Sequence, residues 1–151
     1  MIRNILVPLD GSKFGEQALP RALQIAQKSG AQLHLVQVLV PLIVGDPMMQ
    51  YASLDVEGLE DTQRYMADFV SRLNKQGMKA APLASILEGP VIDALSDYIE
   101  KHEIDLAVIA AHGRAPLARV VMGSVTDELI RKVTVPTLVI RVQDEKPPPS
   151  S

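Results

Sequence analysis

A chain of 151 residues with 47% hydrophobic content is the size of one ordinary domain and can bury a core unaided, with no room for a second. A formal charge of −3 offers no basic footprint for a phosphate backbone, and 3% aromatic content removes the stacking platforms of single-strand binders, so nucleic acid is excluded as a partner. Cysteine is absent, which excludes disulfides, thiolate catalysis and cysteine-based zinc sites.

Ile2 to Leu9 is apolar and β-branched on both faces, as a strand covered on two sides reads. The run meets Asp10 too soon for a signal-peptide core or a membrane span, so the expectation is a cytoplasmic protein without a membrane partner. Asp10-Gly11-Ser12 then supplies a turn and an N-cap for a first helix, in which Phe14, Ala18, Ala22 and Ala26 share a face and Ser29-Gly30 ends the run. Gln32 to Leu39 returns to strand character, and strand, helix, strand at this spacing implies a right-handed parallel crossover. Pro41 to Ser53 carries two prolines, Gly45 and two methionines without periodicity, and is expected to be a loop more mobile than the sheet.

From Val56 a second helix sets Leu59, Met66, Phe69, Val70 and Leu73 in one stripe, opposite Glu60, Asp61, Arg64 and Asp68, and stops near Gly77. Ala80 to Leu87 is a third strand; Pro82, with no N–H to donate, favours an edge position or the strand's first residues, and an edge placement is expected. Gly89-Pro90 puts proline at the first position of a third helix that buries Val91, Ile92, Leu95 and Ile99, with His102 and Glu103 at its exit. Asp105 to Ala111 is the most uniformly apolar strand; Ser124 to Lys132 is a fourth helix and Pro136 to Val142 a last strand. The Pro-rich stretch Gln143 to Ser151 reads as a disordered tail, leaving 1–142 as the domain.

Five strands alternating with four helices predict an α/β fold, a doubly wound five-stranded parallel sheet in order 3-2-1-4-5 with helices on both faces. Ligands of such sheets bind beyond the carboxyl ends of the strands at the topological switch point, here between the first and fourth strands. Asp10 and the segment Ala110 to Ser124 meet there. Asp10 ends an apolar strand, where a carboxylate either accepts hydrogen bonds from a ribose hydroxyl or an adenine amine, or makes an Asx-turn into the helix. At Gly123-Ser124-Val125, free backbone N–H groups and the positive end of a helix dipole form an anion cradle; the competing reading is a Ser124-x-x-Asp127 capping box.

His112, Arg114 and Arg119 offer further donors to a phosphate, with Arg114 or His112 favoured, whereas His34, alone inside the second strand, reads as a satisfied structural residue. Neither the phosphate loop of nucleoside triphosphatases nor a dinucleotide fingerprint occurs. The three histidines lack metal-ligand spacing, and no nucleophile-base set or carboxylate pair is present, so the chain reads as a binding protein and not an enzyme.

These residues resemble the universal stress protein family over Ile2 to Val142. Ile5-Leu-Val-Pro8-Leu-Asp10-Gly-Ser12 is similar to its first strand and turn, His112-Gly113-Arg114 through Gly123-Ser124-Val125 to its G-2x-G-9x-G-[ST] signature, and Val135 to Ile140 to its closing strand. The resemblance implies adenine and ribose contacts at Pro8, Asp10, Val38 and Ile109, and phosphate contacts at Gly113, Gly123, Ser124 and Val125. It implies ATP or a related adenine nucleotide as ligand, optionally with Mg²⁺ on the phosphates, and a dimeric stress-response regulator. One departure stands out: Ala110 replaces the first glycine of the signature and adds a methyl group near the expected triphosphate path.

The alternative is a family member that binds no nucleotide and acts as an interaction or structural dimer. A hydrolase, for which only His112 or Asp10 could position water, ranks below both. A phosphoacceptor receiver domain shares the strand order but needs an Asp ending the third strand, where this chain has Leu87-Glu88-Gly89. The last strand is an apolar edge whose open backbone groups invite pairing with a symmetry mate, the expected homodimer contact.

Overall fold

The computed structural model describes residues 1–11, 13–39, 56–112 and 124–142. The loop expected from Pro41 to Ser53, the segment Gly113 to Gly123 with Arg114 and Arg119, and the tail from Gln143 lie outside the described residues. The elements run β1 Asn4–Leu9, α1 Lys13–Glu16, α2 Leu19–Ser29, β2 Gln32–Leu39, α3 Val56–Asn74, β3 Leu83–Glu88, α4 Val91–Lys101, β4 Leu106–His112, α5 Ser124–Lys132 and β5 Thr137–Val142. The strands form one parallel sheet in the expected order, β3-β2-β1-β4-β5, with β3 at an edge and starting just after Pro82.

Two local expectations need correction, and proline explains both. The single helix expected after Asp10 is two, α1 and α2. Pro20 has no N–H to bond back to Glu16, and its ring would crowd that carbonyl, so the chain breaks at Gln17-Ala18 and restarts with proline in the first turn. Pro90 is not the first residue of α4 but its cap, in an extended conformation (φ −59°, ψ 130°), and the helix begins at Val91.

Alternation along the buried strands divides the core in two. Ile5, Val7 and Leu9 of β1, Leu33 and Leu35 of β2, and Val108 and Ala110 of β4 pack with Ala22, Leu23 and Ala26 of α2 and Met66, Phe69 and Leu73 of α3. Leu6, Val36 and Ile109 face the other way, against Leu95, Tyr98 and Ile99 of α4 and Leu129 of α5. Burial on both faces is why these strands read as continuous apolar runs.

Polar contacts pin the amino-terminal edge of the sheet. Asp105 Oδ2 accepts the backbone N–H of Arg3 at 2.7 Å and of Asn4 at 2.9 Å, while its own N–H donates to the Asn4 carbonyl at 2.9 Å. The two accepted N–H bonds hold the Asp105 carboxyl below its ordinary pKa. Nearby, His34 is buried in β2 with both ring nitrogens engaged: Nδ1 lies 2.9 Å from the Tyr98 hydroxyl and Nε2 3.1 Å from Asn4 Oδ1. Asn4 Oδ1 can only accept, so Nε2 carries the proton and Nδ1 accepts from Tyr98, whose oxygen can in turn accept from Ser85 Oγ at 3.3 Å. Every member is satisfied with His34 neutral, as expected of a structural histidine.

Burial, reinforced by His102 whose ring centroid lies 5.6 Å away, pushes His34 down to about 4 from an ordinary 6.5. The unfolded chain therefore takes up the proton first as pH falls, and this part of the stability is present above pH 6.5 and lost on the way down to about 4. Chemical denaturation across that window is expected to show wild type losing up to about 3 kcal/mol relative to a His34→Gln variant. Parallel pH curves for the two proteins would refute this.

Candidate functional site

The two ladders of the central strand differ. β1 pairs with β2 along its whole length, from Asn4 opposite Gln32 to Leu9 opposite Gln37. With β4 it pairs only at Ile5–Leu106 and Leu6–Ala107. Past these residues the paired register between β1 and β4 ends, and the chain leaves the carboxyl ends of the two strands in opposite directions, the position at which doubly wound sheets bind their ligands. α1, entered through Asp10-Gly11, packs against both strands there.

Three of the apolar residues singled out in sequence lie on one face of the sheet at this edge. Pro8 of β1 is half-buried and alternates in phase with Leu6; Val38 of β2 is half-buried and packs on the same cluster as Val36; Ile109 of β4 is buried in it. Asp10 is exposed and directly follows β1. Its carboxylate lies over α1: a Cβ placed on Gly15 would come within 3.0 Å of Asp10 Oδ1, a distance real side chains scarcely reach, so the glycine leaves room for that carboxylate.

Ser124 and Val125 open α5, as expected of the helix whose amino end was read as an anion cradle. Asp127, the proposed partner in a capping box, holds Arg131 Nη2 at 3.2 Å. Gly113, Arg114 and Gly123 lie outside the described residues. Ala110, whose methyl group raised a question about the ligand path, is 8% exposed and belongs to the core cluster on the α2 and α3 side.

Two features on that side carried no signal that the sequence reading used. Tyr65 of α3 donates its hydroxyl to Glu16 Oε1 of α1 at 2.9 Å, tying the short helix to the long one. Burial first, then the hydrogen bond to Glu16 and the negative charges of Glu16 and Asp10, raise the Tyr65 pKa and keep the phenol protonated. Gln37 is the second feature. It is 9% exposed, its Oε1 is buried without a hydrogen-bond partner among the described residues, and its Nε2 sits 3.5 Å from where a Cβ on Gly11 would be. The hint in sequence was one amide among Leu35, Val36, Val38 and Leu39.

No group of three or more His, Asp or Glu side chains that could hold a metal ion occurs among the described residues, and no helix among them is long and apolar enough to cross a membrane.

A five-stranded parallel sheet in the order β3-β2-β1-β4-β5 with helices on both faces defines a small doubly wound α/β domain. Within that class the chain belongs to the universal stress protein family, whose model matches residues 1–141. It is 27% identical over 143 residues to a universal stress protein of Methanocaldococcus jannaschii, covering 93% of this chain and 83% of that one. The fold matches the universal stress protein UspA from Lactobacillus plantarum with a TM-score of 0.76 at 29% identity, covering 93% and 98% of the two chains. It also matches, at TM-score 0.68 and 23% identity over 93% and 100% of the chains, the universal stress protein from Archaeoglobus fulgidus in complex with dAMP.

The turn that aims Asp10 depends on Gly11, whose φ of +83° is a left-handed conformation. The space beside it accepts a methyl group, so the cost of Gly11→Ala is backbone strain alone. A loss of roughly 1–2 kcal/mol in urea unfolding is expected. An unchanged midpoint would mean that the turn has another conformation available.

Proposed function

We propose that this protein binds ATP or a related adenine nucleotide at the β1/β4 switch point and acts as a homodimeric regulator in a stress response, without catalysis of its own. The observation that carries the reading is the early end of the β1–β4 ladder, beyond which Pro8, Val38 and Ile109 share one face of the sheet edge and the exposed Asp10 follows β1. An apolar wall suits a purine ring and a carboxylate suits ribose hydroxyls. The backbone amides at Gly123, Ser124 and Val125 would take the phosphates at the start of α5, with Gly113 and Arg114 beside them. A dAMP complex in a protein of the same fold supports an adenine nucleotide as the ligand class.

Mg²⁺ would ride on the phosphates, because Asp10 alone does not make a metal site. The buried environment of Ala110 argues that its methyl group leaves the phosphate path open. Titration calorimetry with ATP at fixed Mg²⁺ tests the reading. Wild type should bind saturably, Ala110→Gly should bind equally or more tightly, and Gly123→Val, once shown folded, should weaken binding more than about tenfold. No heat from wild type with clear heat from Ala110→Gly would instead establish a member that lacks nucleotide binding.

The dimer rests on a separate feature. β5 is half-buried and, among the described residues, pairs only with β4, so its outer backbone groups are open to a second copy. Leu138 and Ile140 pack inward on the core, which makes Val139, on the other face, the safer probe. Sedimentation should find wild type dimeric at micromolar concentration and Val139→Lys shifted toward monomer. A wild-type monomer at high concentration would sink the dimer.

A further inference from the structure

The apolar wall of Pro8, Val38 and Ile109 lies on one face of the sheet, and Gln37, one residue before Val38, projects to the other. Its amide lies against Gly11 in the turn that carries Asp10, and its Oε1 is buried with no hydrogen-bond partner among the described residues. A buried acceptor left unpaired costs folding free energy that an apolar side chain of the same size would not. The neighbouring positions on the same face, Leu33 and Leu35, are core leucines. A group that weakens the fold yet lies opposite Leu9 at the carboxyl edge of the sheet, beside the turn that carries Asp10, is the pattern of a residue kept for its ligand.

We propose that Gln37 is a specificity-determining residue of the switch-point site: its Oε1 accepts a hydrogen bond from a nucleoside donor, the exocyclic amine of adenine or a ribose hydroxyl. This inference rests on the nucleotide reading above. Adenine presents an amine to an acceptor, whereas hypoxanthine presents a carbonyl at the same position and leaves Oε1 unsatisfied. The site thus has an apolar side that holds the ring and a polar side, Asp10 and Gln37, that reads the donors.

Gln37→Met keeps the volume and removes the acceptor. Without ligand, the variant should resist urea as well as wild type or better, while its affinity for ATP in calorimetry falls about 5- to 20-fold. Titration of both proteins with ITP and with 2′- and 3′-deoxy-ATP assigns the donor: the analogue whose affinity the substitution leaves unchanged lacks the group that Gln37 reads. As a second measurement, the Gln37 side-chain amide resonance of wild type should shift on saturation with ATP, a result independent of whether the variant folds. A Met variant that is less stable and binds ATP as wild type does, or an amide resonance that ignores ATP, overturns the proposal by making Gln37 a structural residue. Absence of ATP binding by wild type overturns the nucleotide reading itself, and this inference with it.

Discussion

The fold closes β1 against β4 at one end only, and the site depends on that asymmetry. At the amino ends, the Asp105 carboxylate grips the N–H groups of Arg3 and Asn4 while the Asp105 amide bonds back to Asn4, so the first ladder pairs are tied from both sides. At the carboxyl ends no register joins Leu9 to its counterparts in β4. A sheet not pinned at the amino edge would lose the alignment of Ile5 and Leu6 with Leu106 and Ala107.

Packing keeps this arrangement rigid around a polar seam. Ile5, Leu6 and Val7 are fully buried, so β1 cannot slip by one residue without sending Leu6 and its neighbours to the wrong helical layer. The chain of hydrogen bonds through Tyr98, His34 and Asn4 crosses from α4 to β2 to β1 and satisfies each group it buries. The Tyr65 to Glu16 bond does a similar job at the other edge, holding α1 from α3. Helices on both faces are thereby joined to the strands by directional contacts as well as apolar ones.

The two faces of the sheet differ in chemistry at this edge. Pro8, Val38 and Ile109 share the phase of Leu6, while Gln37 projects to the opposite face. The period of two along a strand makes that division automatic: adjacent residues of β2, Gln37 and Val38, serve opposite sides of the same edge. Asp10 comes from the turn, where Gly11 adopts a conformation unfavourable to other residues and Gly15 makes room for the carboxylate.

Much of this was legible in the sequence, because continuous apolar runs and helical stripes report burial directly. The five strands, their order, the edge position of β3 and the start of α5 at Ser124 all follow from local pattern and connection handedness. The break before Pro20 was also written in the chain, but a good apolar stripe through Ala18, Ala22 and Ala26 masked it. Tertiary structure alone decided the rest. The extent of the β1–β4 ladder, the bond from Tyr65 to Glu16 across 49 positions, and the unpaired oxygen of Gln37 each depend on which surfaces meet in space. Local pattern reports whether a residue is buried; only the folded chain determines whether a buried polar atom has found its partner.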